Sequence, residues 1–150
     1  MTEISEKQKK IIGRVDKIDL PQLKLFDLDA KIDTGAYGCS LHSHHIEVIE
    51  QDGKEVLRFK VLDPSHPEYE DQFFCFEEFT DKKVKNSFGV VEHRYAIRTT
   101  LLAFGKKYQI EFSLTDRKDM RFPVLLGRKF LSRGFLVDVR VINASFELKK

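Results

Sequence analysis

An apolar strand that ends in Asp-Thr-Gly-Ala is the part of this sequence best suited to chemistry. Ala30-Lys31-Ile32-Asp33-Thr34-Gly35-Ala36 sets one carboxylate at the mouth of a tight turn. A carboxylate in that position can take a proton from water, and hydrolysis of a peptide bond needs a second carboxylic acid to give one back. The chain contains a single Asp-Thr-Gly. The second acid must therefore come from another copy, with Asp33 facing its mate across a two-fold axis and one proton shared between them, so this chemistry implies a homodimer. Around Asp33, the hydroxyl and backbone of Thr34 are suited to hold two such turns together. Gly35 lets a substrate backbone approach, and Ala36 keeps the floor small. Asp33, Thr34 and Gly35 are thus the catalytic candidates, and Ala36 is a substrate-lining one. The competing account is a turn that Asp33 merely closes by accepting backbone N–H groups.

Val124-Leu125-Leu126-Gly127-Arg128-Lys129-Phe130-Leu131 tips the balance toward chemistry, because it reads as a buried strand, a Gly-Arg junction and a short helix. Together the two stretches resemble a retropepsin-like aspartic peptidase. The likeness extends to one family of such proteins, commonly labelled ATP-dependent zinc proteases and often encoded near ATP-grasp ligases. It rests on the Asp33 block with Ser40-Leu41-His42, on Val84-Lys85-Asn86-Ser87-Phe88-Gly89 with Arg94-Tyr95-Ala96-Ile97, and on Leu114-Thr115-Asp116-Arg117. It continues through Met120-Arg121-Phe122-Pro123 into Leu125-Leu126-Gly127-Arg128.

The resemblance implies an acid-protease barrel acting on peptides or proteins without a cofactor, or on glutamate extensions made by a neighbouring ATP-grasp ligase. The label itself is not matched by the residues, since there is no Gly-rich phosphate loop and no His-Glu-x-x-His helix. One departure stands out. Retroviral enzymes place an acid after Asp-Thr-Gly-Ala to pair with the arginine of Gly-Arg, whereas Tyr37-Gly38-Cys39 follows here. Arg128 is then expected to find Asp116, Asp119 or Asp29, or to serve the dimer interface.

A peptidase of this kind covers its substrate with a hairpin that excludes water. Ser87-Phe88-Gly89 is the preferred tip, and Asp52-Gly53 is the alternative. Arg94, Arg98, Arg117 and Arg121 offer bidentate contacts to acidic substrates. A solvated strand face is the plainer account of the set, with Arg94 kept as the candidate substrate contact. His42 and His44 share one side of an extended segment. A third ligand from His45, His66, His93 or a carboxylate is not fixed by spacing, so strand-edge histidines are preferred and no metal ligand is assigned.

These groups need a scaffold, and period-two alternation supplies it. Tyr108, Ile110, Phe112 and Leu114 alternate with Lys107, Gln109, Glu111 and Ser113. The same test marks Leu28, Ala30 and Ile32, and also Phe135, Val137, Val139 and Val141. Asp52-Gly53 joins a hairpin between Ile46–Glu50 and Val56–Phe59, Pro64 and Pro67 mark a surface loop, and the one helix runs from Arg128 to about Arg133, stopped by Gly134. The expectation is an all-β protein, a closed or nearly closed β-barrel with one short C-terminal helix.

At 150 residues, 1–150 is read as a single domain. Its 26 basic and 24 acidic residues are interspersed, which argues against a nucleic-acid surface, and no apolar run is long enough to span a membrane. The amino terminus has no apolar signal core, so a cytoplasmic location is expected, with Cys39 and Cys75 as free thiols. The leading function is an aspartic endopeptidase. The alternatives are a non-catalytic peptide-binding module on the same fold and a metal-dependent hydrolase using His42 and His44.

Overall fold

The computed structural model describes residues 10–85, 88–116 and 121–150. Asn86, Ser87, Arg117 and Asp119 of the sequence reading lie outside the described residues. Strands account for 56% of the structure, which makes the protein all-β. In order they are β1 (Lys10–Ile12), β2 (Val15–Leu20), β3 (Leu25–Ile32), β4 (Cys39–Gln51), β5 (Lys54–Val61) and β6 (Phe74–Phe76). There follow β7 (Thr80–Lys85), β8 (Val91–Ala103), β9 (Lys106–Thr115), β10 (Val124–Leu126) and β11 (Phe135–Val137). The helices α1 (Arg128–Leu131) and α2 (Ala144–Glu147) are one turn each.

Alternation decides which way each strand faces. In β3, Leu28, Ala30 and Ile32 are buried while Asp29 and Lys31 face outward; in β9, Ile110, Phe112 and Leu114 are buried and Lys107 and Gln109 are exposed. β10, β3, β2, β8, β9 and β4 are hydrogen-bonded in that order, and β10 also pairs with β4, closing six strands into a barrel. Closure leaves no open edge among the six. Phe59, Phe112 and Phe130 are fully buried in one core cluster with Leu28, Leu41 and Leu101, and each such side chain contributes roughly 1.5–3 kcal/mol.

β4 and β5 form the expected hairpin, with Asp52 at φ 52° and Gly53 at φ 78° in its turn. β5 passes the sheet on to β6, and β7 forms a second hairpin with β8. β1 and β11 make a separate parallel pair.

Two expectations at the C-terminal end need correction. The strand expected through Val141 stops at Val137, because the Asp138 carboxylate accepts the N–H of Arg140 at 3.0 Å and also its guanidinium, folding the chain into a turn. The expected single helix ends at Leu131 rather than Arg133, with Gly134 at φ 102°, and a second helix follows at Ala144–Glu147.

That second helix depends on a distant residue. Asp16 on β2 is 1% exposed, and its carboxylate accepts the N–H groups of Ser145 at 2.9 Å and Phe146 at 3.1 Å. These are donors that a helix N-terminus leaves without an internal partner. Asp16→Ala is expected to lower stability by about 1–3 kcal/mol, read by chemical denaturation, with Asp16→Asn losing less. Unchanged stability in Asp16→Ala would show that solvent satisfies these donors as well.

Candidate active site

The topology puts Asp33 where it is. β10 lies between β3 and β4, parallel to the first and antiparallel to the second, with Leu126 opposite Ile32 and Leu125 opposite Ser40. The turn from Asp33 to Gly38 must therefore arch over the end of β10. Backbone hydrogen bonds pin it there: Asp33 N–H donates to the Leu126 carbonyl at 2.9 Å, Arg128 N–H to Ala36 at 2.9 Å and Lys129 N–H to Tyr37 at 2.8 Å.

Gly127 sits in the tightest place. A Cβ there would lie 2.2 Å from the Gly38 carbonyl oxygen and 2.7 Å from that of Ala36, so the Gly-Arg junction is a steric requirement of the arch. Gly35 N–H donates to Asp33 Oδ1 at 2.9 Å and so orients the carboxylate. Asp33 is half-buried, Thr34 and Gly35 are exposed, and Ala36 is half-buried. The thiol beside the turn, Cys39, is buried, and burial pushes its pKa up, which opposes any role as a nucleophile.

Arg128 does not pair with Asp29 or Asp116. Its Nη1 donates to the Thr34 carbonyl at 3.0 Å, and its guanidinium lies 5.9 Å from the centre of the Tyr37 ring. Asp29 instead binds Lys17 at 2.8 Å. Tyr37, which stands where retroviral enzymes place an acid, offers the guanidinium an aromatic face rather than a charge. The side chain of one residue thus holds the far side of the turn while its N–H holds the near side.

The hairpin of β7 and β8 runs out to a Lys85–Val91 pair. Beyond it Phe88 is 90% exposed and Gly89 adopts φ 81°. Arg94 is exposed on β8 opposite Lys82, midway along this hairpin rather than in the Asp33 turn. Arg98 is also exposed on β8.

The histidines are engaged elsewhere. His42 Nε2 meets Asp63 Oδ2 at 2.7 Å and its Nδ1 meets the Thr115 carbonyl at 3.2 Å. His44 Nδ1 meets the Leu62 carbonyl at 2.7 Å, and its ring stacks on Tyr69. A metal at these rings would have to displace those partners. His45 sits at φ 52° in a bulge and is exposed, while His93 pairs with Asp81 at 2.8 Å. No group of three metal-holding side chains occurs among the described residues. Through these contacts His42 and His44 tie β4 to the Leu62–Asp63 stretch.

Asp63 is held below the usual carboxylate range, first by the Ser65 hydroxyl, then, against the effect of burial, by the Ser65 N–H and His42. A depressed pKa contributes stability that is present above about pH 4 and lost as pH falls through the folded value. Asp63→Asn is expected to flatten the acid limb of a plot of Tm against pH. An acid limb identical to that of wild type would remove Asp63 from the acid sensitivity of the fold.

Comparison with known proteins identifies the family. The RimB-like family profile, described as retropepsin-like aspartic endopeptidase RimB, matches residues 11–143. A protein of Desulfotalea psychrophila (strain LSv54 / DSM 12343) named "Probable alpha-L-glutamate ligase" is 34% identical over 146 residues, covering 95% of this chain and 31% of its own length. One of the same name from Parasynechococcus marenigrum (strain WH8102) is 32% identical over 135 residues, covering 87% and 28%. The chain spans about a third of the length of these curated relatives. Among solved structures, the Legionella pneumophila protein Lpg0085, described as of unknown function, is 31% identical with a TM-score of 0.67, covering 90% of this chain and 97% of that one.

Proposed function

We propose, because the chain belongs to the RimB-like family of retropepsin-like aspartic endopeptidases, that it hydrolyses peptide bonds with a water activated by the Asp33 carboxylates of two copies. The observation that carries this reading is the pinned turn. It presents one oriented carboxylate beside exposed Thr34 and Gly35, and from Asp33 to Gly38 it contains no other acid. A second copy docked on that face supplies the missing group. One carboxylate then accepts a proton from the attacking water while its protonated partner donates to the carbonyl oxygen. Collapse of the resulting gem-diol passes a proton to the departing amine.

Phe88 and Gly89, with Ser87, serve in this reading as the tip of a hairpin that closes over the substrate, with Arg94 as a contact midway along it. The names of the longer relatives direct the substrate toward glutamate-containing chains, since a ligase forms the amide that a peptidase breaks. The setting that follows is cytoplasmic, beside an ATP-grasp ligase. Mass-spectrometric analysis of a diverse peptide pool rich in glutamate, incubated with the protein over acidic to neutral pH, tests the proposal. Internal cleavage that needs no added metal supports it, and cleavage abolished by a chelator overturns it.

A further inference from the structure

His42 is 3% exposed, and both of its ring nitrogens face acceptors. Nδ1 lies 3.2 Å from the Thr115 carbonyl oxygen at the end of β9, and Nε2 lies 2.7 Å from Asp63 Oδ2 just beyond β5. A carbonyl oxygen has no proton to give, so Nδ1 must donate. Asp63 has none to give either. The Ser65 hydroxyl, foremost, and the Ser65 N–H donate to its Oδ1, and with His42 they hold its carboxyl below the usual range. Nε2 must therefore donate as well, and a ring that donates from both nitrogens is an imidazolium. His44 shows the contrast. Its Nδ1 meets the Leu62 carbonyl, but its Nε2 meets the Tyr69 hydroxyl at 3.4 Å, which can donate, so a neutral ring satisfies both.

The backbone of His42 joins the same junction. Its N–H donates to the Pro123 carbonyl at 2.8 Å, and its carbonyl accepts the Leu62 N–H at 2.8 Å. Pro123 leads directly into β10, where Leu125 pairs with Ser40 and the Leu126 carbonyl holds the N–H of Asp33. One residue thus gathers the end of β9, the exit from β5 and the start of β10, the strand over which the Asp33 arch lies. A cavity of about 310 Å3 opens beside the ring and gives protons a way in. Asp29, His66 and Arg121 line it with His42 and Asp63, and Asp116 follows Thr115.

We infer that His42, clamped as an imidazolium between Asp63 and the Thr115 carbonyl, is a positioning residue that seats β10 under the Asp33 arch, and that loss of its second proton loosens the arch. A neutral ring keeps one N–H and turns a lone pair toward the other acceptor, which replaces a charge-assisted hydrogen bond with repulsion. The clamp is present on the acid side and is lost as pH rises through the titration of the ring. At the acid extreme, protonation of Asp63 removes the charge that the ring faces, so the clamp is whole only between the two titrations. The clamp stands without the peptidase reading, and its effect on turnover rests on that reading.

Long-range 1H–15N NMR of the histidine rings, with His42 identified by its loss in His42→Gln, reads the clamp directly. In wild type at neutral pH both nitrogens of His42 are expected to bear protons. In Asp63→Asn, whose amide can donate to Nε2, the ring is expected to keep only the proton on Nδ1. Amide hydrogen exchange, corrected for its intrinsic dependence on pH, reads the coupling to the arch. The N–H groups of Arg128 and Lys129 are expected to exchange about tenfold or more faster in Asp63→Asn, and in wild type once the ring loses its second proton. Those of Leu101 and Tyr108, paired in the β8–β9 ladder, are expected to stay unchanged. A bare ring nitrogen in wild type at neutral pH overturns the imidazolium, and exchange at Arg128 and Lys129 that is the same in wild type and Asp63→Asn overturns the positioning role. A peptidase that depends on the clamp loses kcat rather than gaining KM as the ring titrates. The expected spectra and exchange with no cleavage at any pH would keep the clamp and discard the peptidase.

Discussion

Asp33→Asn is expected to lower kcat for peptide hydrolysis by about three orders of magnitude and to leave the barrel standing. The amide matches the carboxylate in shape, and its oxygen can still accept the Gly35 N–H that Oδ1 accepts at 2.9 Å. What it loses is the ability to take and return a proton. Because Asp33 is only half-buried at the rim of the barrel, thermal unfolding should change by no more than the roughly 0.5 kcal/mol typical of surface substitutions.

Mixing experiments sharpen this expectation. If each site needs Asp33 from both copies, an equimolar randomly assorted mixture of wild-type and Asp33→Asn protomers retains about a quarter of the activity of the same total amount of wild type. If one carboxylate acts alone, it retains about half. Activity in proportion to the wild-type fraction would end the paired-carboxylate mechanism, while leaving open a role for Asp33 within one chain.

Gly127→Ala carries the largest expected effect on folding. The added Cβ meets the Gly38 carbonyl at 2.2 Å and that of Ala36 at 2.7 Å, and both are backbone atoms held by their neighbours. Relief requires the arch to lift off β10, breaking the hydrogen bonds from Arg128 and Lys129 and drawing Arg128 away from Thr34. Overpacking of this kind costs about 3 kcal/mol or more, which for a chain of this size lowers Tm by roughly 10 °C. Activity should fall with it even at temperatures where the protein stays folded, since the same arch orients Asp33. Differential scanning calorimetry and kcat/KM measured well below Tm separate the two effects. A Tm within a degree or two of wild type would mean that the arch has slack that the packing of Gly127 does not suggest.

Period-two alternation is a local property, so the facing of β3 and β9, the β4–β5 turn at Asp52-Gly53 and the strand into Asp33 were legible from the residues. The Gly-Arg junction was legible as a motif, although its steric reason, the carbonyls of Ala36 and Gly38 in a turn far earlier in the chain, was not. Arg128 was expected to meet an acid because charge suggests charge, and it meets a carbonyl and the Tyr37 ring instead. The strand through Val141 had the right alternation, but one local bond set, Asp138 to Arg140, outweighed it. His42 was visible on one side of an extended segment without any sign of the two acceptors it would meet.

The sequence alone determined the class of structure, the way its strands face, and the place of Asp33 in the turn that follows β3, because each of these follows from neighbours within a few positions. Tertiary structure alone decided the closure of the barrel through β10, the capping of α2 by Asp16 across 129 residues, and the meeting of His42 with Asp63 and the Thr115 carbonyl. Those depend on contacts between segments far apart along the chain. Such contacts form only when the closed sheet brings the segments together, and no local pattern encodes their register.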